Sequence, residues 1–249
     1  MASDLKEAGG RTRLFVSAAL EPGSAVALDE GQNHYMLHVL RAKAGDRVLL
    51  FNGRDGEWLG EITEATKRGV IVAVGAQTLA QTGVPDIWLL FAPVKKTPSD
   101  YLAQKATELG VRKLQPVFTR RTIVTRLNQE RLAANAVEAA EQSARLTVPD
   151  IGEAMALDKL LAAWPHDRRI FFCDEGGDAV PLAGAVRDVG GGACAILTGP
   201  EGGFDPAERD YLRAQSFVTP VTLGPRILRA DTAALAALAI WQSVRGDWA

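Results

Sequence analysis

Residues 197–206 read LTGPEGGFDP, directly after the apolar run ACAI at 193–196. Ten residues hold three glycines and two prolines, and a charged helical pattern, DPAERDYLRAQ, begins at 205. A bare, turn-rich segment between a buried strand and a helix is the signature of a parallel α/β sheet, where ligands bind beyond the carboxyl ends of the strands. A second segment of the same kind, LGPRILRADT at 223–232, follows the next strand, PVTLG.

Working outward, the chain from about residue 87 alternates. IWLLFAPV is apolar throughout and reads as a buried strand. TPSDYLAQKATELG opens with Thr97 as N-cap, Pro98 at the first helical position and Asp100 in the capping-box place, and Gly110 closes it. A long helix is expected from about Asn128 to Leu146, then strand RIFFCDE, helix PLAGAVRD, strand ACAILTG, helix DPAERDYLRAQ, strand PVTLG and a final helix DTAALAALAIWQSV. Apolar strands alternating with helices predict a mostly parallel sheet covered on both faces.

The first eighty residues have different grammar. RLFVSAAL, a helix-like GQNHYMLHVLRA, and GDRVLLFNGRDGEWLGEITEATKRGVIVAVG show period-two spacing at Ile62, Val70, Val72 and Val74, with turn chemistry in NGRDG. A small β-barrel would close such strands. Polar and small residues at 75–86 read as a linker, giving domains at 1–78 and 79–249, with residues 1–10 a frayed tail.

Composition excludes several classes. No apolar run approaches the roughly 20 residues of a spanning helix, and the N-terminal segment lacks the apolar core of a signal peptide, so a cytoplasmic protein is expected. Cys173 and Cys194 lie in separate apolar runs and read as buried thiols. His34 and His38 share a helix face without the glutamate of H-E-x-x-H, so no metal is expected. No Lys-Ser or Lys-Thr follows either glycine loop, which removes the phosphate P-loop; GGGACA precedes its strand and is a chance match to the dinucleotide fingerprint; and no G-x-S-x-G is present.

The net charge of −2 hides an uneven distribution. Nine Lys or Arg face three acids between Val94 and Arg131. That excess suits a phosphodiester footprint or, equally on charge alone, an internally paired helix surface.

LTGPEGGFDPAE followed by LGPRILRADTAALAALA resembles the two cofactor loops of the SPOUT methyltransferases, in the RsmE family that methylates N3 of a uridine in 16S ribosomal RNA. HYMLHVLRAKAGDRVLLFNG is similar to that family's PUA-like barrel, and QKATELGV and EAAEQSAR to its first two methyltransferase-domain helices. One departure stands out: LRADT replaces the common LRTET, so Asp231 takes the place of a longer glutamate. The resemblance implies a C-terminal α/β domain knotted as a trefoil, one of the rare exceptions to unknotted topology. It also implies S-adenosylmethionine as cofactor, a homodimer, and 16S rRNA or the small ribosomal subunit as partner.

On that basis the cofactor would contact Leu197, Thr198, Gly199, Pro200, Glu201, Gly202, Gly203, Leu223, Gly224, Arg226, Ile227 and Leu228. The apolar members would supply walls and the glycines close main-chain groups. N3 of uracil becomes nucleophilic when its proton leaves, so a guanidinium near O2 or O4 is needed, with Arg229 first and Arg226 in reserve. Glu201 or Asp231 would accept the proton, although Asp231 reads better still as a cap of the last helix. The RNA would be held by Arg13, His34, Arg41, Lys95, Lys96, Arg120, Arg121, Gln142 and Arg145. Arg54 would support them from the barrel. A ribose 2′-O-methyltransferase of the same superfamily and a non-catalytic RNA-binding or assembly factor are the rival readings.

Overall fold

The computed structural model describes residues 6–7, 10–94, 99–175, 178–189 and 192–249. It separates into two compact units: the chain up to Gly83 together with Ala140–Val148, and Val84–Ala139 together with Pro149–Ala249.

In the first unit, β1 (Arg13–Phe15), β2 (Ala25–Ala27), β3 (Arg47–Phe51), β4 (Glu57–Thr66) and β5 (Gly69–Leu79) pair in the order β1-β3-β4-β5-β2. β1 runs parallel to β3 and the other pairs are antiparallel. The period-two residues behave as their spacing requires: Ile62, Val70, Val72 and Val74 point into one core with Leu14, Val26, Met36, Val48 and Leu50. Among the described residues β1 and β2 do not pair with each other, so the hydrogen-bonded ladder is open where the sequence suggested a closed barrel. Helix α1 (Glu30–His34), started by a capping box on Asp29 and Gln32, runs on into a π-helical turn, Tyr35–Val39, whose Met36 fills that core. β5 extends to Leu79, five residues into the segment read as linker. Side-chain amides hold that edge: Gln77 Nε2 donates to Asp55 O and Gln81 Oε1 accepts from Gly56 N–H.

The expected long helix is shorter: α2 (Ser99–Glu108) is followed by α3 (Gln129–Gln142), which ends where its chain passes into the first unit. There Ala140, Leu146 and Val148 pack with Phe15 and Phe51. Thr97 and Pro98, read as the start of α2, lie outside the described residues.

The second unit holds a parallel sheet of β6 (Ile87–Phe91), β7 (Lys113–Phe118), β8 (Asp150–Ile151), β9 (Met155–Ala156), β10 (Arg169–Cys173), β11 (Val180–Pro181), β12 (Cys194–Thr198) and β13 (Val218–Thr222). Its order is β8-β7-β6-β12-β10-β13-β11, with β9 beside the end of β7. Every recorded pairing in it is parallel. Alternate residues face opposite layers. Ile87, Leu89, Phe91, Phe171, Cys194 and Ile196 meet α2, α5 (Leu182–Asp188) and α7 (Ala230–Arg245). Leu90, Ile170, Phe172, Ala195 and Leu197 meet α4 (Leu157–Ala162) and α6 (Pro206–Arg213).

β7 has no counterpart in the sequence reading, because Pro116 and the polar Lys113 and Gln115 break its apolar character. Proline is tolerated here because it falls between the residues that pair with β8 and those that pair with β9. Among the described helices none is long and apolar enough to cross a membrane.

Candidate functional site

The sheet order places β12 between β6 and β10, so the loops leaving β12 and β13 emerge at the same end of the sheet, one strand apart. The first loop, residues 199–205, is shaped by its own phenylalanine. Phe204 turns back so that a Cβ on Gly199 would stand 2.6 Å from its ring, and the ring meets Phe172 edge-on with centroids 4.8 Å apart. Glycine at 199 is therefore required by the protein's own packing. Pro200 is buried and its carbonyl accepts from Gly203 N–H at 2.9 Å, whereas Glu201 and Gly202 are exposed. Asp205 then caps α6 in a capping box with Glu208. Desolvation opposes the Asp205 charge, but the Ala207 amide and the Arg120 guanidinium prevail and hold its carboxyl below the ordinary value.

The second loop, residues 223–229, is the more open. Gly224 has φ +114°, a region few side-chain-bearing residues adopt, with nothing within 4 Å of where a Cβ would stand. Ile227 is 84% exposed, unusual for so apolar a side chain. Arg226 and Arg229 are exposed as well, and Leu223 and Leu228 half-buried. Among the described residues, the N–H groups of Gly199, Gly202, Leu223, Ile227 and Leu228 donate to no protein acceptor. Both loops thus present unpaired main-chain groups beside apolar surface.

Several expected positions change character. Leu197 is fully enclosed in the layer with α4 and α6, so its side chain belongs to the core and not to a ligand wall. Thr198, also buried, lines a cavity of about 10 Å³ with Phe91, Ala92, Val94, Leu102, Ala230 and Asp231, room for little more than one water. Asp231 is not the N-cap of α7: Arg229 occupies that position without a side-chain bond, and Asp231, in the first turn, accepts from Thr232 N–H at 2.8 Å. The Glu201 carboxylate has no protein partner among the described residues, so it does not bind the loop amides.

The cations expected to hold RNA divide sharply. Arg13 is 8% exposed; Nε meets Glu57 at 2.7 Å, Nη1 donates to the carbonyls of Ala140 and Glu141, and Nη2 to that of Arg145. Its ring-stacking on Phe51, 4.4 Å from the centroid, completes its enclosure. Arg13 is a structural residue of the first unit, withdrawn from any polyanion. Arg145 is half-buried, with Nε on Thr147 Oγ1. His34, Arg41 and Gln142 are exposed; the His34 and His38 rings lie 4.8 Å apart, tilted by 42°, and Arg41 takes the left-handed region at φ +55°. Arg120 pairs with Asp205 at 2.9 Å and Arg121 donates to Gly202 O at 2.9 Å, so both engage the glycine loop. Lys95 and Lys96 lie outside the described residues. Polar residues of α3 are engaged within the chain too: Arg131 pairs with Asp100, and Asn135 Oδ1 accepts from Gln104 at 2.8 Å. No cluster of three or more His, Cys, Asp or Glu placed to hold a metal ion occurs among the described residues.

Comparison with known proteins supplies the family. The RNA methyltransferase domain profile matches residues 82–242 and the RNA methyltransferase PUA domain profile residues 28–75. Ribosomal RNA small subunit methyltransferase E of Rickettsia conorii is 31% identical over 228 residues, covering 91% of this chain and 93% of the relative. The chain belongs to the ribosomal RNA small subunit methyltransferase E family.

The Bacillus subtilis member is 28% identical, with 92% of this chain and 95% of the relative covered. The crystal structure of the Neisseria gonorrhoeae member, bound to S-adenosyl methionine, superposes with a TM-score of 0.86 at 28% identity, covering 96% of this chain and 99% of that one. Membership of the methyltransferase E family accounts for both units: the first is the PUA-like part, the second the α/β part that carries the two loops.

Proposed function

We propose that this protein transfers the methyl group of S-adenosylmethionine to N3 of a uridine in 16S ribosomal RNA. One observation carries the reading: two loops at the carboxyl end of a parallel sheet, leaving strands on either side of β10, leave main-chain donors unpaired beside an isoleucine that is 84% exposed. These residues fit the donor, whose adenine requires apolar contact and main-chain hydrogen bonds, both of which residues 199–203 and 223–228 offer. When bound, S-adenosylmethionine supplies a sulfonium-activated methyl group and leaves as S-adenosylhomocysteine.

The chain's own residues do the rest. Arg229, exposed beside the second loop, steadies the negative charge that spreads to the uracil oxygens as N3–H is lost. Glu201 takes that proton, being the carboxylate of the two candidates without a protein partner among the described residues. Asp231, bound to the Thr232 amide, stabilises the start of α7. Because N3 lies on the pairing edge, the target uridine must be unpaired or flipped out. The exposed His34, Arg41 and Gln142, with Lys95 and Lys96, contact the RNA. The same reading includes a threaded C-terminal crossover, supported by the seating of α7 against α2, α5 and β12, and a pair of chains as the working form in the cytoplasm.

Nucleoside mass spectrometry of 16S rRNA from cells lacking and regaining the protein tests the activity. The expected product is 3-methyluridine, absent without the gene. A ribose-methylated nucleoside with N3–H intact would instead favour the 2′-O-methyltransferase. Absence of saturable 1:1 binding of S-adenosylmethionine in calorimetry would favour a non-catalytic RNA-binding factor. Light scattering reads the number of chains.

A further inference from the structure

We propose that the turn at residues 119–122 is a clamp for the cofactor loop, and that Arg121 is a positioning residue for the methyl donor instead of a ligand of RNA phosphate. The inference rests on the reading of residues 199–205 as the S-adenosylmethionine loop. TRRT leaves the end of β7 and is closed on itself by its threonines. Thr119 N–H donates to Thr122 Oγ1 at 2.9 Å, the hydroxyls meet at 2.9 Å, and Thr122 N–H returns to Thr119 O at 3.1 Å. That closure fixes the two intervening arginines, and both reach the same segment. Arg120 N–H donates to Glu208 Oε1 at 2.8 Å, and its guanidinium holds Asp205 Oδ1. Arg121 Nη1 donates to Gly202 O at 2.9 Å, while its stem carbons Cβ and Cδ lie 3.8 Å from where a Cβ of Gly202 would be.

Three contacts from a four-residue turn therefore land on 202, 205 and 208: the glycine loop, the cap of α6 and its first turn. A loop containing Gly199, Gly202 and Gly203 has little intrinsic order, so its main-chain groups must be aimed by something outside it. Arg121 does this at Gly202, fixing the peptide carbonyl directly and lying along it with its aliphatic stem. An ammonium could reach the carbonyl as a point charge but lacks the planar fork that keeps one N–H on target. A cation reserved for phosphate would be expected to have no such bond to its own chain.

The test uses the purified full-length protein, with calorimetry against S-adenosylmethionine and binding of an rRNA fragment over a salt series. Wild type is expected to bind the donor 1:1; its failure to do so would overturn the functional reading itself. Arg121→Ala is expected to weaken donor binding by about tenfold or more, the value of a charge-assisted hydrogen bond. Arg121→Lys should recover part of that loss. The salt slope for RNA should stay unchanged, and in turnover KM for the donor should rise with kcat at saturating donor held within about twofold. Donor affinity unchanged in Arg121→Ala, or an RNA salt slope lower by about one with donor affinity intact, would overturn the clamp. If Arg121→Ala does not fold, Arg121→Lys and Arg121→Gln carry the same comparison: equal donor affinity in wild type and both variants overturns it.

Discussion

At the scale of single residues, the site sorts charged groups by whether the fold has already engaged them. Arg229 is exposed beside the second loop with no side-chain bond at its cap position, so its guanidinium is available to a base. Replacing Arg229 by Ala is expected to lower kcat by about 10²-fold, as loss of a charge-stabilising donor does, with donor affinity within about threefold; stopped-time methylation assays and calorimetry read the two separately. The thiols are engaged differently. Burial pushes the Cys173 thiol up to about 12 and raises that of Cys194 as well. Only Cys194 is fully buried, and Cys173, expected to be buried too, is half-buried, so in native protein Cys194 should not react with a disulfide reagent at pH 8 and Cys173 should react slowly, whereas both should titrate in urea; rapid labelling of Cys194 in the folded state would contradict its burial.

At the scale of elements, the second loop is set by a backbone requirement and α6 by an ion-pair network. Gly224→Ala introduces no clash, since the space about it is open, so its cost is conformational, about 1–3 kcal/mol at φ +114°. Donor affinity should fall in parallel, measurable by calorimetry beside a urea melt. On its far side α6 is tied by Arg209 and Arg213 to the buried Asp174, and Arg213 also grips Asp178 through two bonds near 2.7 Å. The Arg213 hydrogen bond draws the Asp178 carboxyl down from 3.8 to about 2. A depressed carboxylate stabilises the folded state fully above its unfolded value and loses that effect as pH falls through the folded one. The urea midpoint of Asp178→Asn should thus lie below wild type above about pH 4 and converge with it near pH 2. Exposure of Asp178 makes the difference small and sensitive to salt.

At the scale of the whole molecule, one buried arginine unites the first unit. Arg13 satisfies three carbonyls at 140, 141 and 145, so the last turn of α3 and the residues just beyond it are tied to β1 by Arg13 and its Glu57 partner, beside the bond from Phe15 N–H to Glu141 Oε1 at 2.9 Å. Arg13→Ala leaves Glu57 buried without its counter-charge and is expected to destabilise by about 3–5 kcal/mol, visible as a lower melting temperature, with little change in RNA salt dependence for protein kept folded. Charge reversal at Lys95 and Lys96 should do the opposite, flattening the salt slope of RNA binding and sparing stability; an unchanged slope would remove those two from the phosphate footprint.

Fold class and loop positions were legible in residue order because they follow from local periodicity and from turn residues. ACAILTG and PVTLG each end in glycine at the carboxyl end of the sheet, and Val70, Val72 and Val74 alternate as a half-buried strand must. β7 was hidden because Pro116 conceals a strand whose pairing gap only the neighbours reveal. The sequence alone determined which side chains carry charge and where the backbone is bare. Only the tertiary structure decided that Arg13 is a core tie, that Arg121 meets Gly202, and that Gly199 makes room for Phe204. The physical reason is that a charge or a missing Cβ belongs to one residue, whereas its partner is supplied by a segment dozens of positions away, brought near by the fold.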